Sequence, residues 1–187
     1  MVRWEPNPRG RLQEAALALY GERGFENTTV AEIAERAGLT ERTFFRHFAD
    51  KREVLFDGAD AFTEAFVGTV RNAPADVAPI DAVTAALEAA AALLADRKFA
   101  RQRQVVIAAS PELQERELSK FASLSTALAD ALRQRGLAEP AATLTAELAI
   151  AVFRVAFERW IERSEDQDFP QLIRESLDQL RAVTAGA

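Results

Sequence analysis

Five closely spaced residues between positions 42 and 47 have side chains suited to binding a polyanion. They are Arg42, Thr43, Phe45, Arg46 and His47. A guanidinium can donate two parallel hydrogen bonds to a base edge or a phosphate, and a hydroxyl, a ring or an imidazole can add contacts. This set is suited to the major groove of a nucleic acid duplex. Ordinary surface charges on a solvated helix are the alternative, and residue types alone leave it open.

The spacing predicts that these residues share the exposed side of a short helix. At about 100° per residue, Phe44 and Phe48 fall together on one side and should pack inward. Arg42, Thr43 and Arg46 then occupy the opposite half, flanked by Phe45 and His47. Lys51 and Arg52 follow closely enough to reach a phosphate from the side.

Two short helices joined by a glycine turn would position this surface. Apolar residues with helical spacing precede it at Val30, Ile33, Ala34 and Ala37. Thr29 and Glu32 have the spacing of a capping box, and Gly38 can end the helix in a left-handed conformation. Thr40 can cap the next helix immediately. The pattern predicts a helix-turn-helix.

The rest of the chain also predicts helices, with neither strand alternation nor a sequence repeat. We expect a first helix at 10–23, a long helix at 50–72 begun by an Asp50 cap, and a proline-bracketed linker at 73–79. Further helices should begin with caps at Asp81 and Ser110, the latter helix turning Leu118 inward. Others are expected at 97–109, 144–161 and 170–183.

The stretch from Thr29 to Leu55 resembles the DNA-binding domain of the TetR family of bacterial regulators. The matching segments are Thr29-Val30, Ile33-Ala34, Ala37-Gly38-Leu39, Thr43-Phe44-Phe45-Arg46-His47-Phe48 and Lys51-Arg52-Glu53-Val54-Leu55. The resemblance covers about residues 9–56. It implies an all-α protein with a three-helix helix-turn-helix DNA-binding head, residues 1–56. Within this range, residues 1–8, which contain Arg3, Trp4 and two prolines, are predicted to form a flexible arm. Residues 57–187 would form a larger helical body for effector binding and dimerisation.

Carried over position by position, the resemblance implies a set of DNA-binding residues. Thr29 and Lys51 would contact phosphate, Arg42, Thr43 and Arg46 would face the groove, and His47 would contact the backbone. Phe45 departs from the family pattern, which usually has tyrosine there. A hydroxyl contact with phosphate should therefore be absent, leaving stacking on sugar or on a thymine methyl.

The net charge of −6 first appears unsuited to a nucleic-acid partner. Residues 1–56 hold 9 Lys+Arg and 9 Asp+Glu, leaving 14 and 20 for residues 57–187. The excess acid therefore lies in the body. Affinity for double-stranded DNA must come from a local basic patch.

Residues 144–161 form an apolar stretch in which Arg154 is the sole charge among ten central residues. A helix apolar on nearly all sides must be buried all round. We therefore expect one face to pack on a second copy, together with the last helix, and burial within a monomer is the alternative. The predicted homodimer interface comprises Leu148, Val152, Val155, Ile173, Leu177 and Leu180.

The family resemblance further implies a small-molecule effector held between helices of the body. Aromatic side chains with a few polar groups would suit a largely apolar ligand. The predicted pocket residues are Phe62, Phe66, Phe99, Arg103, Phe121, Phe157 and Trp160.

Composition argues against catalysis. Cysteine is absent, His47 is the single histidine, and no glycine-rich phosphate loop or metal-ligand cluster occurs, so we expect no enzyme activity, metal or cofactor.

No apolar run reaches membrane-spanning length, and a cytoplasmic location is expected. The resemblance to the TetR family implies a ligand-responsive transcriptional regulator, a repressor that binds a palindromic operator as a homodimer and is released by a small, largely apolar effector. A helical protein–protein adaptor without a small-molecule ligand is the alternative.

Overall fold

The computed structural model describes residues 7–94, 96–162 and 168–185, and within these ranges the chain is helical without a strand. The elements are α1 Pro8–Arg23, α2 Val30–Arg36, α3 Glu41–His47, a 3-10 turn Glu53–Phe56, α4 Ala59–Asn72, α5 Pro79–Ala91, α6 Arg97–Ala108, α7 Pro111–Gln134, α8 Ala141–Glu162 and α9 Phe169–Thr184. The predicted all-α fold class is confirmed.

The chain folds into two compact units. The head unit contains residues up to Asp57 together with Arg101–Leu118, and the body unit contains Gly58–Ala100 and the residues from Ser119 onward. The helices α6 and α7 therefore each have residues in both units. The sequence pattern did not indicate that residues 101–118 pack with the N-terminal helices.

The turn between α2 and α3 has the predicted construction. Thr29 Oγ1 accepts a hydrogen bond from the N–H of Glu32 at 3.3 Å, and the Glu32 carboxylate accepts one from the N–H of Thr29 at 2.9 Å, which confirms the capping box. Gly38 has φ 64°. A Cβ there would lie 2.7 Å from a guanidinium nitrogen of Arg11, which donates to the carbonyl of Ala37. The left-handed conformation therefore favours glycine at this position, whereas the guanidinium, at the end of a flexible side chain, could move aside for a Cβ.

A small apolar core fixes the orientation of α3 in the head unit. Leu12, Ala16, Ile33, Phe44 and Val54 are fully buried. The hydroxyl of Tyr20 donates to the carbonyl of Lys51 at 2.6 Å, and burial raises the pKa of this phenol. This hydrogen bond connects α1 to the segment that follows α3.

The predicted continuous helix at 50–72 is wrong. Asp50 accepts hydrogen bonds from the N–H groups of Arg52 at 2.8 Å and Glu53 at 3.1 Å, but the element that follows is a 3-10 turn, and its N-cap residue is Arg52. Asp57 is extended at ψ 137°, and Gly58 has φ 85°. These two conformations end the turn, and α4 begins anew at Ala59.

Several predicted helix starts and one predicted burial also need correction. The first helix begins at Pro8, because Asn7 Oδ1 caps the N–H of Gly10 at 2.9 Å. Asp81 is not a cap, because Pro79 already begins α5. The buried Ser110 hydroxyl has no hydrogen-bond partner among the described residues, so it does not cap α7. Leu118 is 57% exposed and does not face inward.

The body unit is built around α5 and α8. The fully buried residues of these two helices include Ala86, Ala90, Ala146 and Ala149, which belong to one apolar core. Arg135 donates to the carbonyls of Pro74 at 2.9 Å and Val77 at 3.1 Å. These bonds fix the turn between α4 and α5. No described helix is both long and apolar enough to cross a membrane.

Candidate nucleic-acid interface

Two arginines lie on the exposed face of α3. Thr40 Oγ1 accepts from the N–H of Thr43 at 3.2 Å and begins the helix, while buried Phe44 sets its rotation. Arg42 and Arg46 are exposed, and neither forms a hydrogen bond or ion pair with any described residue. Four residues apart, they lie on the same side of the helix.

Apolar groups flank these arginines. The Phe45 side chain is 56% exposed, and its ring meets that of Phe44 edge-on with centroids 5.5 Å apart. Thr43 Oγ1 lies 3.1 Å from Thr40 Oγ1, so its hydroxyl already shares a hydrogen bond. The methyl group of Thr43 takes no part in this hydrogen bond.

Several other basic side chains near α3 have internal partners. Arg9 pairs with Asp57, and its guanidinium lies 5.4 Å from the ring of Phe48. Arg52 donates to Asp50 at 2.6 Å. Hydrogen bonds from Arg52 and from two backbone N–H groups lower the pKa of Asp50. Two further pairs are Arg23 with Glu32 at 2.9 Å and Arg36 with Glu22 at 2.7 Å.

Lys51 has a structural role that the sequence did not indicate. Its ammonium donates to the carbonyls of Phe25 at 2.9 Å and Thr28 at 3.1 Å, and it lies 4.1 Å from the centre of the Phe25 ring. An ammonium has three N–H donors, so one remains. The contact of Lys51 with phosphate stays a prediction, confined to that remaining donor.

Thr29 and His47 are also constrained. The hydroxyl of Thr29 donates to Glu32 Oε2 at 2.9 Å, so the threonine must release this bond before it can donate to a phosphate. His47 is half-buried, and its Nε2 is buried without a partner among the described residues. Both contacts with the DNA backbone stay predictions.

Replacing Lys51 with methionine should lower the free energy of unfolding of the head by about 1–3 kcal/mol, because two carbonyls lose a charged donor. Urea denaturation followed by circular dichroism would measure this loss. Arg46→Met is the matched control, since its side chain has no partner among the described residues and should leave stability unchanged. Equal stability of both variants would mean that the Lys51 bonds contribute nothing.

The predicted effector residues separate into two groups. Phe62, Phe66, Phe121, Phe157 and Trp160 lie in the body unit within one network of rings. Phe153 joins three of them, with centroids 5.3 Å from Phe62, 6.1 Å from Phe121 and 5.9 Å from Phe157. Phe169, which the sequence pattern did not single out, stacks on Trp160 at 4.9 Å.

Arg103 and Phe99 are not part of this ring network. Arg103 belongs to the head unit, where Nε donates to the carbonyl of Leu55 at 2.6 Å and a second nitrogen lies 3.3 Å from Glu117. Phe99 is half-buried in the body unit and contacts no other aromatic ring of the described residues. An open depression of about 670 Å³ lies elsewhere in the body, along α4 and α5, lined by residues such as Glu64, Thr69 and Asn72.

The predicted interface residues also differ in exposure. Val152, Ile173 and Leu177 are buried inside the chain's own core, so their side chains have almost no surface left for a second copy. Val155 is 47% exposed, and Leu148 and Leu180 are half-exposed. Leu144, which the sequence pattern did not assign to the interface, is 64% exposed on α8.

Family models match both parts of the chain. Residues 12–57 match bacterial regulatory proteins of the tetR family, and residues 77–185, more than half of the chain, match the MftR C-terminal domain. The chain is 42% identical to the HTH-type transcriptional regulator TcmR of Streptomyces glaucescens over 81 residues, covering 43% of this chain and 36% of TcmR. It is 25% identical over 171 residues to the transcriptional regulator MftR of Mycobacterium tuberculosis, named for mycofactocin biosynthesis, covering 89% and 86%.

Solved structures share the fold. One is SmeT in complex with triclosan, with TM-score 0.66, 21% identity and coverage of 94% and 90%. SmeT is the repressor of the Stenotrophomonas maltophilia multidrug efflux pump SmeDEF. Another is FadR from Bacillus subtilis in complex with stearoyl-CoA, with TM-score 0.64, 18% identity and coverage of 91% and 96%. Given the head geometry and the two family models, the chain belongs to the TetR family of bacterial transcriptional regulators.

Proposed function

We propose that this protein is a homodimeric transcriptional repressor, cytoplasmic and without enzyme activity. It binds a palindromic operator and is released by a small, largely apolar effector. The observation that carries the proposal is the α3 face, where Arg42 and Arg46 are exposed without partners among the described residues while neighbouring cations are paired. Charged donors held on a helix-turn-helix without internal partners are suited to a phosphate-lined groove.

Dimerisation would use the exposed apolar residues of α8 and α9. Leu144 and Val155 on α8, with Leu148 and Leu180, present apolar surface that a single chain leaves in contact with water. Burying such surface stabilises association by about 25 cal/mol per Å² before the cost of association is subtracted. A twofold axis would then place two α3 helices in successive major grooves, about 34–36 Å apart.

The ring network of the body is the region that we propose to bind the effector. Phe62, Phe121 and Phe157 are only partly buried, so their rings can rearrange at lower cost than a fully buried ring. Two proteins of this fold hold ligands with large apolar parts, triclosan and stearoyl-CoA. In a Trp4→Phe variant, Trp160 is the only tryptophan, and its fluorescence should change on titration with either compound if it lies at the site.

The signal from effector to head would pass through α6 and α7. Residues 50–72 cannot transmit the signal as one rigid helix, because the helical structure is interrupted at Asp57 and Gly58. By contrast, α6 and α7 are continuous and have residues in both units. Their head-unit part contacts the 3-10 turn, since Arg103 donates to Leu55 and lies 4.9 Å from the Phe56 ring.

Arg103→Met is therefore expected to loosen the 3-10 turn and residues 101–118 together. The substitution removes the donor to Leu55 and leaves Glu117 without this cation. Hydrogen exchange should become about tenfold faster in both segments, for a loss of about 1.4 kcal/mol, and should not change in α8. Arg101→Met is the control, an exposed arginine of α6 that has no partner among the described residues. Faster exchange in 101–118 alone would contradict the proposed coupling.

Selection of bound sites from random duplex DNA, together with the mass of the protein in solution, tests the proposed function. We expect enrichment of a palindrome and the mass of a dimer at micromolar concentration. The affinity should fall linearly as salt rises on logarithmic axes. A protein that enriches no sequence and binds no duplex at low ionic strength is not a repressor of this kind.

A further inference from the structure

The outer face of α3 presents strong donors and apolar groups in a defined order. Arg42 and Arg46 are donors only, because a guanidinium has no acceptor. Phe45 is centred about 80° to one side of them around the helix axis. The first residue, Glu41, lies about 120° from the arginines on that same side, so its carboxylate is off the face centre.

Two donor-only groups favour guanine among the bases of a major groove. Guanine presents two neighbouring acceptors, N7 and O6, whereas adenine presents one acceptor and one donor, and cytosine presents a donor. A phosphate would also accept from a guanidinium. However, the arginines occupy the centre of the exposed face, opposite buried Phe44, and a helix in the groove directs that centre toward the bases.

The distance between the arginines limits the spacing of these guanines. Four residues of α-helix rise about 6 Å. Successive base pairs are about 3.4 Å apart. The two guanines, on either strand, should therefore lie within about two base-pair steps of each other.

Phe45 exposes an apolar ring to solvent on the outer face of α3. More than half of its side chain is exposed, and its ring is held by the edge-on contact with Phe44. A phenyl ring has no group that can donate a hydrogen bond to a phosphate. The apolar group that the major groove presents is the C5-methyl of thymine. An exposed ring beside two base-facing arginines is therefore placed to bury that methyl.

We infer that each operator half-site presents two guanines within about two base-pair steps, bound by Arg42 and Arg46, and a flanking thymine whose methyl group packs on Phe45. This inference rests on the proposed function, because it assumes that α3 enters a major groove.

Modified bases test the inference with the full-length protein and its selected operator. Replacing each conserved guanine with 7-deazaguanine removes only the N7 acceptor, and replacing the thymine with uracil removes only the methyl. We expect the first change to weaken binding about fivefold or more. The second should weaken it about fourfold. Arg42→Ala and Arg46→Ala should each become insensitive at one guanine, and Phe45→Ala should become insensitive to uracil.

The controls separate this inference from the proposed function. Arg71→Ala removes an exposed arginine on α4 and should keep every base sensitivity of the wild type. Circular dichroism should show that the α3 variants remain folded. A palindrome without the guanine pair, or equal sensitivity in wild type and arginine variants, overturns the guanine contacts while DNA binding stands. If the wild type binds the uracil-containing operator as tightly as the thymine-containing operator, Phe45 packs on the sugar and not on the methyl group. A chain that selects no duplex overturns both proposals.

Discussion

The double variant Arg42→Ala/Arg46→Ala is expected to bind its operator no better than random DNA. Each bidentate arginine–base pair contributes about 1–3 kcal/mol of discrimination, so the two together contribute about 2–6 kcal/mol. Folding should be unaffected, because neither side chain has a hydrogen bond or ion pair among the described residues. Fluorescence anisotropy with operator and scrambled duplexes would measure both affinities at a single salt concentration.

A charge-matched control is available in the same chain. Arg71→Ala/Arg101→Ala also removes two positive charges from exposed positions, one on α4 and one on α6. This variant should lose little specificity, since general electrostatic attraction acts on all sequences alike. If both double variants lost the same affinity on operator and scrambled DNA, α3 would not be the element that distinguishes bases.

The largest expected effect on stability is that of Phe44→Ala. Truncating a fully buried phenylalanine costs about 3–5 kcal/mol, because apolar contacts are lost and a cavity remains. Natural domains have only about 5–15 kcal/mol of stability, so the head should be partly unfolded at physiological temperature. Urea denaturation followed by circular dichroism should show the loss, and operator binding should weaken because α3 loses its anchor.

Phe45→Ala provides the comparison for this variant. The two phenylalanines are adjacent on α3, but the Phe45 side chain is mostly exposed. Its truncation should change the free energy of unfolding by less than about 1 kcal/mol while still weakening operator binding. If Phe45→Ala destabilised the protein as much as Phe44→Ala, the rotation of α3 that buries Phe44 and exposes Phe45 would be wrong.

Features that depend on a few consecutive residues could be predicted from the sequence. The capping box of Thr29 and Glu32, the left-handed turn at Gly38 and the burial of Phe44 all follow the predicted pattern. Caps and turns are local, because the donor and acceptor are about three residues apart. The all-helical class likewise follows from apolar spacing along each helix.

The availability of each cation for DNA was not determined locally. Lys51 has the right position in the motif, but its ammonium binds the carbonyls of Phe25 and Thr28, more than twenty residues earlier. Arg11, which the motif does not include, donates to Ala37 at the turn between α2 and α3. Such partners depend on how the helices pack, and the spacing of residues along the chain does not predict them.

The sequence by itself determined a helix-turn-helix, its caps and the exposed face of α3, because each arises from hydrogen bonds and apolar periodicity within one or two helical turns. The tertiary structure decided which arginines remain unpaired, where the helix after Asp50 is interrupted, and that residues 101–118 belong with the head. These features depend on contacts between residues that are distant in the chain. Their free energies are comparable to those of the local preferences they override.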